Sequence, residues 1–230
     1  SDLAAAINTD GPGVLAREAE AIGAWLVHYS TDYVFDGSGA EPWTEDDPTG
    51  PVNAYGRTKL EGEVLVRDSR CQHLIFRTSW VYAARGRNFI RTMLALARER
   101  DTLQLIDDQH GAPTGAALIA DVTAQALPAA IRQPALRGTY HLAASGEITW
   151  YGYARWVIER AQDAGWPVKV AAAAISPVPS GAFVTKARRP GNSRLDCGRL
   201  EHAFALRMPT WEVGVEIGRA SCRERVCHRV

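Results

Sequence analysis

Tyr55 and Lys59 stand four residues apart, downstream of the run Ser30-Thr31-Asp32-Tyr33-Val34-Phe35-Asp36-Gly37. On a helix that spacing stacks the two side chains on one face, one turn from each other. An ammonium beside a phenol, whose ordinary pKa is about 10, favours the phenolate and brings its proton into use near neutral pH. The pair reads as a proton-transfer device, and a hydroxyl at the end of an upstream strand could complete it. Alone, Tyr-x-x-x-Lys is a weak signal, because most such pairs are solvated helix decoration. What the device serves has to come from its surroundings.

Those surroundings alternate. Apolar residues at helical spacing (Val14, Leu15, Ala19, Ile22) predict a helix over 13–24, and the apolar run 25–29 predicts a strand ending at Ser30-Thr31. Glycines and prolines between Asp36 and Val52 mark a surface loop, and Asn53 is a plausible N-cap for a helix through Tyr55, Lys59 and Leu65. Strands are expected at 73–76, 103–106 and 139–142, an extended run at 168–172, and helices at 88–100, 117–131 and 149–164. This alternation implies an α/β, doubly wound, mostly parallel sheet covered by helices. In such folds ligands gather at the carboxyl ends of strands, where Thr31 and Ser79 fall.

Composition narrows the partners. Of 230 residues, 46% are hydrophobic and 23% charged, and the formal net charge is +0. That balance gives no broad attraction to nucleic acid or to an anionic membrane. No apolar run approaches the roughly 20 residues that span a bilayer, and no signal-peptide pattern opens the chain. Cys71, Cys197, Cys222 and Cys227 have neither metal-ligand nor disulfide-framework spacing, so a reducing, cytoplasmic setting is expected. His28, His73, His110 and His141 form no ligand-spaced set, so no metal site is expected. The chain opens at Ser1 as if in the middle of a domain. Residues 217–226 break the preceding apolar pattern and resemble one reading frame of a sequencing adapter. The native sequence is therefore expected to end near Glu216, leaving 217–230 as a non-native tail whose Cys222, Cys227 and His228 carry no functional weight.

The order of motifs is more specific than any one of them. Ser-Thr-Asp-Tyr-Val-Phe-Asp-Gly, a Pro/Gly loop, Tyr55-Gly-Arg-Thr-Lys-Leu-Glu-Gly-Glu63 and Arg77-Thr-Ser-Trp-Val-Tyr82 resemble the extended short-chain dehydrogenases/reductases. Within that family they resemble the branch that completes dTDP-L-rhamnose synthesis. Asn88-Phe89, Asp107-Asp-Gln-x-Gly-x-Pro-Thr-Gly115 and Arg189-Pro-x-Asn-Ser-x-Leu-Asp196 extend the resemblance from about Asn8 to Val215. The family's glycine-rich dinucleotide turn is missing. Gly11-Pro12-Gly13 does not replace it, since Pro12 lacks an amide donor and no strand precedes it; a helix-entry turn is expected there. The resemblance makes the chain an N-terminally truncated fragment, without the main pyrophosphate and adenosine contacts and inactive as it stands.

For the intact enzyme the resemblance implies a Rossmann-like fold with a smaller C-terminal substrate lobe: 1–110 the remainder of the NAD(P)-binding domain, 111–216 mainly substrate-binding. It implies hydride transfer from NADPH, or NADH, to C4 of a dTDP-4-keto-sugar. Tyr55 would protonate the developing alkoxide, Lys59 would lower the Tyr55 pKa and bind the nicotinamide ribose, and Thr31 would hold the carbonyl oxygen. Ser79 would approach the nicotinamide. Asp32, Tyr33, Trp80, Asn88, Gln109, Thr114, Arg189 and Asn192 are the substrate candidates, with Arg189 as diphosphate partner. Plainer readings stand beside these: a strand-end cap for Thr31, core packing for Tyr33 and Trp80, a surface arginine for Arg189, an ion pair for Arg77. Some relatives dimerise with Mg²⁺, and a homodimer suits the resemblance, but no metal constellation supports the ion here. Two other functions share the fold. One is an NAD-dependent sugar-nucleotide epimerase or dehydratase; dehydratases usually carry an acid where this chain has Tyr33. The other is a non-catalytic binding subunit like the regulatory subunit of methionine adenosyltransferase.

Overall fold

The computed structural model describes residues 2–183 and 187–216; the expected tail at 217–230 lies outside them. A continuous helical run opens the chain: α1 (Asp2–Ala5), a π-turn (Ala6–Asp10) and α2 (Gly11–Ile22). Gly11-Pro12-Gly13 therefore lies within a helical run and is not an entry turn from a loop. Pro12 has no N–H to offer the preceding turn, and the widened π-turn accommodates it. There follow β1 (Trp25–Thr31), α3 (Ala54–Asp68), β2 (Gln72–Thr78), β3 (Val81–Tyr82) and α4 (Phe89–Glu99). Next come β4 (Leu103–Ile106), β5 (His110–Gly111), β6 (Thr114–Gly115) and α5 (Ala116–Arg132). The chain continues through β7 (Gly138–His141), β8 (Ile148–Thr149), α6 (Trp150–Asp163), β9 (Ile175–Val178) and α7 (Gly198–Phe204).

The main sheet is parallel, in the order β1-β2-β7, with Thr31 opposite Thr78 and Arg77 opposite His141. β2 is its buried centre, and its alternate side chains feed two helical layers. Leu74 and Phe76 pack with Ile119, Val122 and Ala126 of α5 and Leu200 of α7, while Ile75 packs with Ala16, Ala19 and Val66 of α2 and α3. Burial on both faces explains why Leu74, Ile75 and Phe76 at its centre are apolar without alternation. The smaller strands pair as β3–β6, β4–β9 and β5–β8, the last antiparallel. β3–β6 and β5–β8 sit with α4 and α6 over a second core of Tyr82, Tyr153, Val157 and Trp211, while β4–β9 packs on Ala97 of α4 and Ile158 of α6 through Leu103 and Ile175. The extended run expected at 168–172 is not a strand; β4 instead pairs with β9, whose Pro177 disguises it and is tolerated in a two-stranded edge.

α2 and α3 meet at small residues. Gly13 lies against Leu65, and a Cβ on Gly62 would overlap the Asn8 carbonyl, the oxygen that Pro12 leaves without its helical donor. Asn8 Nδ2 donates to Thr58 Oγ1 at 3.1 Å and Thr9 Oγ1 to the Thr58 carbonyl at 2.9 Å, locking the register. Gly62→Ala is therefore expected to destabilise the protein by about 1–3 kcal/mol through overpacking, seen as a lower urea midpoint with an unchanged slope.

Candidate active site

β1 ends in the bulk of the site. Thr31 has extended backbone and caps a 3-10 turn at Asp32–Val34, its Oγ1 accepting the Tyr33 N–H at 3.2 Å and lying 3.1 Å from Asp32 Oδ1. The capping reading of Thr31 is thus correct, and the cap leaves the hydroxyl beside Tyr55, with which it hydrogen-bonds. Asp32 is 2% exposed. Burial pushes its carboxyl up to about 7, against hydrogen bonds from Ser193 and Thr31 that favour the ionised form.

α3 carries the other half. Asn53 caps it, accepting the Gly56 N–H at 2.9 Å, while its amide donates to the Arg188 carbonyl at 2.9 Å. A Cβ on Gly56 would overlap the Tyr33 carbonyl, so glycine lets the first turn sit directly on the 3-10 turn. Tyr55 and Tyr33 then meet edge to face, with ring centroids 5.7 Å apart. Tyr55 is 48% exposed, with its ring open to a ligand.

One turn along, Lys59 Nζ donates to the Tyr29 carbonyl at 2.6 Å and lies 3.5 Å from His28 Nε2. Here the structure corrects the expectation of a lowered phenol pKa. The Tyr55 hydroxyl is raised, first by burial and then by the charge of Asp32, and only Thr31 opposes this. The ammonium is turned to the β1 backbone, so the helical spacing fixes a shared face without fixing where the charge goes. Lys59 itself is lowered by burial, with Glu63 opposing. His28 falls to about 4, through burial and then the Lys59 charge.

Glu63 extends the ladder Tyr55, Lys59, Glu63, Arg67 down the same helix face. It is fully buried; Arg77 Nε and Nη2 grip its carboxylate at 3.0 and 2.8 Å, and Arg67 Nη1 adds a third contact at 2.8 Å. The ion-pair reading of Arg77 holds. Glu63 itself was visible as a repeat of fours but stands out only once its partners are in place.

On the substrate side, Ser79 follows β2 directly, 2% exposed, and its Oγ has no partner among the described residues. Trp80 has φ 47°, a left-handed conformation that costs a non-glycine residue about 1–2 kcal/mol. Its ring stacks on Trp150 at 3.6 Å and lies over Gly111, where a Cβ would clash. Trp150 lies 70 positions further along, and no local pattern announces it. Arg189 is exposed and close enough to favour the Tyr33 phenolate. Gln109 is buried beside β5.

Three other candidates are engaged in scaffolding. Asn88 caps α4, accepting the Arg91 N–H at 3.1 Å and donating to the Ala83 carbonyl at 2.6 Å. Thr114 Oγ1 donates to the Ala112 carbonyl at 3.0 Å and accepts the Ala144 N–H at 3.2 Å. Asn192, 2% exposed, donates to the Ser38 and Glu41 carbonyls and accepts from the Arg194 backbone and guanidinium, which uses its whole amide. Among the described residues no group of three or more His, Cys, Asp or Glu side chains could hold a metal ion, and no helix is long and apolar enough to cross a membrane.

The chain is similar to known proteins along its length. The family described as the RmlD substrate binding domain matches residues 1–220. The dTDP-4-dehydrorhamnose reductase of Escherichia coli strain K12 is 51% identical over 215 residues, covering 94% of this chain and 71% of the relative. The crystal structure of a dTDP-4-dehydrorhamnose reductase from Clostridium acetobutylicum superposes with TM-score 0.84 at 36% identity, over 96% of this chain and 74% of that one. The Bacillus anthracis enzyme in complex with NADP gives 0.83 at 34%, with the same coverage. With a fold shared at that level and half its residues held in common with an enterobacterial reductase, the chain belongs to the RmlD substrate binding domain family, among the dTDP-4-dehydrorhamnose reductases.

Proposed function

We propose that the full-length protein reduces dTDP-4-dehydro-L-rhamnose to dTDP-L-rhamnose, a reaction this chain alone does not complete. The observation that carries this reading is the meeting of the Tyr55 and Thr31 hydroxyls at the carboxyl end of β1, with Lys59 one turn below. Tyr55 donates its proton to the C4 oxygen as negative charge develops there. At neutral pH the phenol holds its proton, the form that donates. Thr31 holds the same oxygen.

A reduced nicotinamide fits the residues present. The partnerless Ser79 hydroxyl is a ready hydrogen-bonding group for its carboxamide, and the Lys59 ammonium, held at the Tyr29 carbonyl, is a donor for its ribose. When bound, the cofactor supplies the hydride. Trp80 forms the apolar wall for the deoxysugar and Arg189 meets the diphosphate, with residues 111–216 forming most of the substrate lobe around the strand β7 that returns to the main sheet. The free thiols Cys71 and Cys197 suit a reducing cytoplasm.

The dehydratase reading loses ground at Tyr33, which lies where a dehydratase places its acid and is itself pushed up by burial and by Asp32. The test is to add NADPH and dTDP-4-dehydro-L-rhamnose to the full-length protein and follow the absorbance of the reduced nicotinamide. One NADPH consumed per sugar reduced is expected. No consumption overturns the reading and leaves the binding-subunit alternative.

A further inference from the structure

We propose that Asp32 is a positioning residue that works as a neutral carboxylic acid, donating to Thr31 Oγ1 so that the Thr31 hydroxyl proton points at the keto oxygen. The proposal rests on the reading of Thr31 as the group that holds that oxygen.

A threonine hydroxyl has one proton and two lone pairs. One Thr31 lone pair is taken by the Tyr33 N–H at 3.2 Å. The 3.1 Å contact with Asp32 Oδ1 then has two forms. If Asp32 is ionised it can only accept, so it consumes the Thr31 proton and leaves nothing to donate to a substrate. If Asp32 is protonated it donates to the second lone pair. The Thr31 hydroxyl is then saturated as an acceptor, and its single proton, which without substrate faces the Tyr55 oxygen, can turn to the oxygen on which charge develops. The two forms differ in the one property the reaction needs.

The surroundings favour the protonated form. Asp32 is 2% exposed, and its Oδ2 has no partner among the described residues. Its hydrogen-bond partners are the hydroxyls of Thr31, from β1, and Ser193, from the segment after Arg189, with its own backbone N–H; these favour the ionised form, and burial outweighs them. The titratable neighbours are Tyr33, on its own turn, and Tyr55, from α3; Arg189 acts on Tyr33. Among the described residues no Lys or Arg side chain forms an ion pair with it. A buried carboxylate without a cation is costly, and the group retains its proton instead. Burial accordingly places the carboxyl at about 7.

Below that value Asp32 is neutral and Thr31 donates to the substrate. As pH rises through it, Asp32 ionises, recaptures the Thr31 proton, and kcat falls. The Tyr55 phenol, being raised, titrates well above this range.

The experiment is a pH profile of kcat on the full-length enzyme for wild type, Asp32→Asn, Asp32→Ala and Thr31→Val. Asp32→Asn offers Nδ2–H to Thr31 and cannot ionise. Its profile should lose the fall near neutrality, and it should exceed Asp32→Ala by about tenfold, a part of the effect of one oxyanion donor. The carboxylic-acid C=O infrared band of the wild type at neutral pH should vanish in Asp32→Asn. Three results overturn the proposal: the neutral fall persisting in Asp32→Asn, Asp32→Asn no better than Asp32→Ala, or no infrared band assignable to Asp32. If Thr31→Val leaves kcat intact, the failure lies instead in the role given to Thr31, and the Asp32 proposal falls with it.

Discussion

Replacing Tyr55 with phenylalanine is expected to lower kcat by about 10²–10⁴-fold, the loss typical of removing a positioned general acid. KM for the sugar nucleotide should change little, because the ring itself remains. It keeps its edge-to-face contact with Tyr33, and at 48% exposure its hydroxyl is not holding the core together. A thermal midpoint close to wild type would show the loss to be chemical. An equal turnover in Tyr55→Phe would mean that the proton comes from elsewhere, and the pairing with Thr31 would then be structural.

The largest effect on stability is expected at Glu63. Glu63→Ala leaves Arg77, 3% exposed, as a buried guanidinium without its carboxylate, and breaking a buried pair from one side typically costs about 3–5 kcal/mol. The pair also has a pH signature. Burial alone would raise the Glu63 carboxyl, but the hydrogen bond and charge of Arg77, helped by Ser30 and Arg67, bring it below the ordinary glutamate value. A depressed carboxyl contributes stability that is fully present above its unfolded-state pKa and disappears as pH falls through its folded-state pKa. Urea unfolding across the acid range should therefore show wild type losing stability more steeply than Glu63→Ala. Parallel curves would mean that the carboxylate is not the group that matters.

How much of this was legible in the sequence depended on whether a feature is local. The apolar run at 25–29 and the Ser-Thr that closes it announced both β1 and the place where chemistry gathers, since strand ends are marked by their own residues. The Asn53 cap and the Asn88 cap were equally local, although capping turned out to engage the amide that had suggested substrate binding at Asn88. Features that depend on a partner far along the chain were hidden. Lys59 lies on the same helix face as Tyr55, yet its ammonium is claimed by the Tyr29 carbonyl across the β1–α3 contact, which reversed the expected direction of the Tyr55 pKa. Trp80 was visible as an aromatic near a strand end, but its Trp150 partner and its left-handed backbone were not. Asn192 belonged to a recognisable motif, and only the folded loop at 37–41 shows that its amide is fully used. β9 was missed because Pro177 obscures a strand pattern that an edge position allows.

Direct reduction at C4 by hydride transfer, with Tyr55 as the acid, is the proposed reaction. Its most direct test is a single-turnover reaction of the full-length protein with NADPH carrying deuterium at the transferred position, followed by NMR of the sugar nucleotide. The expected product is dTDP-L-rhamnose with deuterium at C4 and one oxidised cofactor per product, the rate collapsing in Tyr55→Phe. An unlabelled product with the cofactor returned to its starting state, as an epimerase or dehydratase would give, would contradict it.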